Sequence, residues 1–443
     1  MRRILVAVTA FALIGAACTA GGDEGPASPT DANASHEPVT IEIWGAWTGR
    51  ELKQFNAIFD NFTAQYPWIT VESVGAVDDP KIIAAINSGT PPAAVLSFGL
   101  DSVGKFCQSG AWQDLTPFIE RDGYDLSQFP DAVFKYTSFG GSQCALPFLT
   151  DAYGLYYNLD KFENARLSGP PKTISELTDY AKQLTEFNPD GSIKVMGLVP
   201  FSGYYETNSV TLSIPFGAKW YSEDGTTSAV DTDPQWKAIA DWQKELVDFY
   251  GGPEAVTKFV AQQGDEFSSS NDFETGRVAM NIDGEWRTAF IENEVPDLNY
   301  MTAPIPVPDD MADSYGVGQI GGTIIGIPKG SPDPESAWLL VSWMASDTDT
   351  LVYMANNVRN VPTTTAALES PDLEVTPQFQ TFLDIFANPS SHYKETSAIG
   401  SLDQDLVGGF LEKWQQGKVT DLQAGLDQVA EQINAELAQA SGP

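Results

Sequence analysis

Val39-Thr-Ile-Glu-Ile-Trp44 alternates apolar and polar residues and is rich in β-branched side chains, so it is predicted to be a strand. Leu52, Phe55, Ile58, Phe59, Phe62 and Tyr66 follow at helical spacing, and Pro67 stops the helix. Ile69 to Val74 is a second strand. A helix around Lys81 to Ser88 ends at Gly89, and Ala93 to Phe98 is a third, apolar strand. Strand–helix–strand–helix–strand implies a parallel sheet covered by helices.

The same alternation continues outward. Ala152 to Asn158 is predicted as a Tyr-rich strand, and Thr173 with Glu176 form a capping box for a helix carrying Leu177, Tyr180, Ala181 and Leu184. Val278–Ile282 and Gly322–Ile327 are further strands. Ser331-Pro332 is predicted to open the Trp338–Met344 helix, and Thr420 to cap the last helix, which carries Leu422, Leu426, Val429, Ile433 and Leu437. No repeat period or heptad run appears. The expected fold class is α/β, with two lobes rather than one large sheet.

The 443 residues carry 24 Lys+Arg against 60 Asp+Glu, a formal charge of −36. Nucleic-acid binding through a basic surface is disfavoured, because affinity there comes from neutralising phosphates. A polybasic membrane contact is disfavoured by the same arithmetic. Two histidines, His36 and His392, and three cysteines, Cys18, Cys107 and Cys144, leave little for histidine catalysis, zinc or iron–sulfur chemistry.

Arg2 and Arg3 precede the apolar run Ile4 to Ile14, which has the form of a secretory signal over residues 1–17. Gly15-Ala16-Ala17 leads into Cys18 and resembles a bacterial lipoprotein processing site, with Gly15 standing where that pattern usually has an aliphatic residue. That resemblance makes Cys18 the acylated mature N-terminus. Residues 18–38 are then a Gly-, Ser-, Pro- and Asp-rich tether with too little apolar surface to fold. The expected location is the outer face of the cell membrane or the periplasm. Cys107 and Cys144 remain as a disulfide pair or as two buried free thiols.

Catalytic constellations are scarce. There is no HExxH, Walker A or CxxC motif. Gly316-Val-Gly318-Gln-Ile-Gly321 matches GxGxxG but leads into a strand, whereas a dinucleotide fingerprint must open a helix. His392 lies in a turn-like Pro389-Ser-Ser-His-Tyr393 segment, with no nucleophile elbow in the chain. The aromatics say more. Trp44, Trp47, Trp112, Tyr204, Tyr205, Trp220, Tyr221 and Trp286 fall at strand ends or in loop-like segments beside Gly and Asp. An aromatic face packs on the C–H face of a pyranose, while carboxylates and amides take its hydroxyls.

Three stretches carry a resemblance to a known family. Phe273-Glu-Thr-Gly-Arg-Val-Ala-Met-Asn-Ile-Asp-Gly-Glu-Trp286 is similar to a G-x-x-A-M…G-x-W segment. Gly321-Gly-Thr-Ile-Ile-Gly-Ile-Pro-Lys-Gly330 is followed by Ala337-Trp338, and Pro147-Phe-Leu-Thr-Asp-Ala-Tyr-Gly-Leu-Tyr-Tyr-Asn158 by Pro170-Pro-Lys-Thr173. Ile86-Asn-Ser-Gly89 with Pro91-Pro92 adds a weaker match, with Ala93 where the family has Asp. Over most of residues 39–443 the chain resembles the extracellular solute-binding proteins of ABC importers, in the carbohydrate-binding branch that includes maltodextrin receptors.

That resemblance implies two α/β lobes joined by hinge crossovers, with ligand in the cleft between them. Lobe one is expected over 39–149 plus 304–348, and lobe two over 150–303 plus 349–443. It also implies a protein, expected as a monomer, that does no bond chemistry, needs no cofactor or metal, and delivers a sugar to ABC permease subunits. Carried over, the ligand-binding residues are Trp47 and Glu51 in the first loop, Asp101 after the third strand and Asp151 at the crossing. Tyr204 and Trp286 come from lobe two, Gly322 offers backbone, and Arg359 precedes a Pro turn. Arg50 and Arg359 keep open a receptor for a glycerophosphodiester or another anionic solute. A secreted carbohydrate-active enzyme would need a carboxylate pair in the cleft. An iron receptor would draw on Tyr156-Tyr157 or Tyr204-Tyr205, but neighbours on a strand face opposite ways.

Overall fold

The computed structural model describes residues 36–440, so the expected signal and the Cys18 processing site lie outside the described residues. Among the described residues no helix is long and apolar enough to cross a membrane.

The main sheet is built on β1 (Val39–Trp44), β2 (Ile69–Val74), β3 (Ala94–Ser97), β4 (Leu146–Asn158), β5 (Met280–Gly284), β6 (Tyr300–Ala303), β7 (Ile320–Gly326) and β8 (Val361–Pro362). Its order is β6-β4-β7-β3-β1-β2, with β5 and β8 also pairing β4. β1 runs parallel to β2 and β3, as the opening alternation predicts. β7 then returns antiparallel to β3. β4 is the spine: Leu146–Ala152 pairs with β7, while Tyr153–Tyr157 pairs with β5 and Leu155–Asn158 with β6. It begins six residues before the predicted strand. A register shift between Thr323 and Ile324 skips Phe148, so that β7 pairs with Leu149 on one side of it and Pro147 on the other.

Two hydrophobic cores flank this spine. The smaller joins Ile41, Ile43, Phe55, Phe62, Leu96, Phe148, Ile325, Trp338 and Met344. The larger joins Tyr156, Leu177, Leu212, Trp236, Met280, Ile282, Phe382, Phe410 and Ile433. Leu351, Met354 and Val358 of helix Thr348–Val358, and Ala367 after it, belong to the smaller core. The chain then joins the sheet at β8, where Val361 and Pro362 pair with Thr150 and Leu149 of β4. Phe106, Trp112 and Tyr136 belong to the larger core.

Helix boundaries shift for local reasons. Thr173 Oγ1 accepts the Glu176 amide at 3.3 Å as expected, while Glu176 takes the Lys172 amide at 2.7 Å. Asp333, not Ser331, caps the next helix through the Ser336 amide, with Pro334 in its first turn. Asp421, not Thr420, accepts from Ala424 at the last one. The predicted 52–66 helix is two, Gly49–Ala57 and Phe59–Gln65. Cys107 and Cys144 form a disulfide, their Cα atoms 5.4 Å apart.

Candidate functional site

A cavity of about 300 Å3 opens where the loop after β1, the middle of β4 and the turn after β5 meet. Trp47, Glu51, Asp151 and Trp286, all predicted, line it together with Arg50, Phe98, Tyr153, Glu206, Phe267, Phe290, Glu294, Thr323 and Asn360.

Two indoles form its aromatic walls. Trp47 lies in the Gly45–Gly49 loop, its ring packed on Phe55, Phe98 and Phe148 at centroid distances of 4.9, 5.7 and 6.1 Å. Trp286 stands edge-on to Tyr153 at 5.5 Å and 87°. Gly284 makes room for it: a Cβ there would come within 2.0 Å of the Trp286 ring. Next to Trp286, fully buried Arg287 pairs with Asp283 at 3.0 Å and Glu274 at 3.2 Å. These pairs anchor the turn and the helix that follows it.

The polar groups divide into satisfied and unsatisfied ones. Asn360 Nδ2 donates to Asp151 Oδ1 at 2.6 Å and to Glu285 Oε1 at 3.0 Å, and the Ala152 amide donates to Glu285 Oε2 at 2.8 Å. Burial raises Asp151 to a pKa of about 7 and holds Glu285 well above the usual range, so this carboxyl pair retains a proton near neutrality. Arg50 Nη1 donates to the Asn357 carbonyl at 2.8 Å, and its guanidinium lies 4.6 Å from the centre of the Phe290 ring. Arg50 Nε and Nη2 and Trp286 Nε1 are buried and have no hydrogen-bond partner. Buried donors without acceptors are costly, and these three belong to residues that line the cavity.

Four carboxyl side chains, Glu51, Asp151, Glu206 and Glu294, line the cavity beside one cation, Arg50. Burial raises Glu51, and still more Glu206, whose neighbours Glu266 and Asp283 push it further up. Arg50 Nη1 is already engaged by the Asn357 carbonyl, so the lining offers little free positive charge to a phosphate or carboxylate ligand.

The other predicted residues lie elsewhere. Asp101 is 6% exposed in the Leu100–Ser102 turn, where Gln404 Nε2 donates to Oδ2 at 2.6 Å and Tyr393 OH to Oδ1 at 3.3 Å. Tyr204 is buried and donates to Asp272 Oδ2 at 2.9 Å; Glu206, two residues on, reaches the cavity instead. Gly322 holds φ +143°, where a Cβ would come within 2.4 Å of the Leu149 carbonyl oxygen, and its neighbour Thr323 provides the lining. Arg359 terminates helix Thr348–Val358 with φ 65°; it pairs with Glu292 at 3.0 Å and donates to the Glu374 carbonyl at 2.8 Å. The left-handed residue turns the chain so that Asn360, not Arg359, enters the site.

Among the described residues no group of three or more His, Cys, Asp or Glu is arranged to hold a metal ion. His392 Nδ1 sits 2.8 Å from the Ser390 carbonyl in an exposed turn.

Residues 46–350 match the bacterial extracellular solute-binding protein family, and the chain belongs to it. The maltotriose-binding protein of Pyrococcus abyssi is 21% identical over 396 residues, covering 89% of this chain and 81% of that protein. The sn-glycerol-3-phosphate-binding periplasmic protein of Rhizobium meliloti is 25% identical over 247 residues, 51% of this chain and 55% of that one. The solved structure of CpMnBP1 with mannotriose bound superposes with a TM-score of 0.80 at 24% identity, over 90% of this chain and all of that one. The two-lobed fold with hinge crossovers, expected from sequence, is the fold of these neighbours.

Proposed function

We propose that this protein captures a neutral sugar in the cavity between Trp47 and Trp286 and delivers it to the membrane subunits of an ABC importer, without bond chemistry of its own. One observation carries the reading: two indole walls and unpartnered buried donors surround a cavity whose acceptors are carboxyls. A pyranose matches that set, offering C–H faces to the indoles and hydroxyls that both accept and donate. The relatives that bind maltotriose and mannotriose support the same class. The presence of Arg50 alone as a lining cation and the engagement of Arg359 with Glu292 weigh against the anionic-solute alternative.

The lobes close on the sugar about the crossings at β4 and β8. Export, acylation of Cys18 and action as a monomer complete the proposal, with the tether 18–38 holding the receptor at the membrane. The test is calorimetric titration of residues 19–443 with neutral mono- and disaccharides and, in parallel, sn-glycerol 3-phosphate. Binding of a neutral sugar is expected. Binding of the phosphate alone would overturn the sugar reading in favour of the anionic one.

A further inference from the structure

The cavity has a mouth and a blind end. Phe98 and Phe267, 47% and 54% exposed, line it where it meets solvent. Behind Tyr153 stand Tyr393, close enough to interact electrostatically with it, and Tyr136, whose hydroxyl lies 3.2 Å from where a Gly322 Cβ would be. We propose that the site takes one or two pyranose units and that affinity stops rising at the disaccharide; this rests on the sugar reading above.

Asp101 belongs to the joint that we place at the inner end of the cleft, through its bond with Tyr393. Both of its carboxylate oxygens are taken within the protein, one by Gln404 of helix Leu402–Gln415 and one by Tyr393. Tyr393 packs edge-on to Tyr136 at 6.4 Å, and Tyr136 donates to Thr150 Oγ1 at 3.3 Å in β4. One turn past Asp101, the chain closes backbone to backbone: a Cβ on Gly104 would lie 2.0 Å from the Ser397 carbonyl oxygen. Farther out, Gln108 Nε2 donates to the Ala440 carbonyl at 2.8 Å. The larger core is continuous here, joining Val103 and Phe106 to Val407 and Phe410. A glycan passing this seam would have to break these bonds and leave Asp101 buried without donors.

The remaining space agrees. About 300 Å3 lies at the lower end of ligand sites, which run roughly from 300 to 1,000 Å3. A third unit can therefore extend only outward past Phe98 and Phe267. There it meets water, and its hydroxyls gain little over their hydration.

The test is a calorimetric length series on residues 19–443, using mannose and glucose and their linear oligomers of two to five units. In whichever series binds, the dissociation constant should tighten from one unit to two and then stay within about threefold up to five. Tightening beyond that between the disaccharide and the trisaccharide would overturn the blind end and leave the sugar reading intact. Silence of both series, with sn-glycerol 3-phosphate binding, would remove the sugar reading and this inference with it.

Discussion

The cavity and the Asp101 seam are made of the same materials, and they differ in one respect. Each brings carboxyls, aromatic rings and amide or guanidinium donors together from distant parts of the chain. At the seam every oxygen of Asp101 is met by Gln404 or Tyr393. At the cavity, Arg50 Nε, Arg50 Nη2 and Trp286 Nε1 are buried and unmet. Since an unmet buried donor costs about 1–3 kcal/mol, the first arrangement is a structural joint and the second a site awaiting a ligand.

The comparison is broken most severely at Arg287. Replacing it with Met strands the carboxylates of Asp283 and Glu274 in the interior. The expected cost is about 3–5 kcal/mol in urea unfolding; a loss within error would show that this ion-pair network does not hold the Trp286 turn. Gly284→Ala comes next. Its Cβ must displace the Trp286 indole, for about 1–3 kcal/mol of overpacking strain and a weaker sugar titration. Unaltered binding would mean that the indole position is immaterial. Arg359→Ala sharpens the contrast from the other side, removing a charged hydrogen-bond group outside the cavity. A stability loss of about 1.5–3 kcal/mol with unchanged sugar affinity is expected, and a drop in affinity would return Arg359 to the site.

The smallest effect is a pH trend. The Asp151 carboxyl has its folded pKa raised to about 7. Its stabilising contribution is therefore complete at acidic pH and is lost as pH rises through about 7. Asp151→Asn, uncharged throughout, should flatten that decline in thermal melts taken from acidic to mildly alkaline pH. Parallel curves for the two proteins would remove Asp151 as its source.

The cavity's misses from sequence are mostly short slips along elements that were themselves legible. Strand periodicity marked β1 and β2, and the loops after strands marked Trp47 and Trp286. Alternation along β7 put Thr323 rather than Gly322 at the cavity, because neighbours on a strand face opposite ways. A left-handed residue exchanged Arg359 for Asn360, and another, Tyr205 with φ 43°, exchanged Tyr204 for Glu206. Local composition does not announce such conformations in non-glycine residues. Asp101 lies outside the cavity's lining for a different reason. Its partners Tyr393 and Gln404 lie about three hundred residues away in the chain, and no local pattern reports a contact of that range.

The central claim is that a sugar lies against Trp286 in this cavity, and titration calorimetry of the wild type and Trp286→Ala with the same disaccharide tests it most directly. A loss of about 2–4 kcal/mol in binding free energy, in a variant that melts lower but is still folded at the titration temperature, is the predicted result. Equal affinity in the two proteins would contradict it.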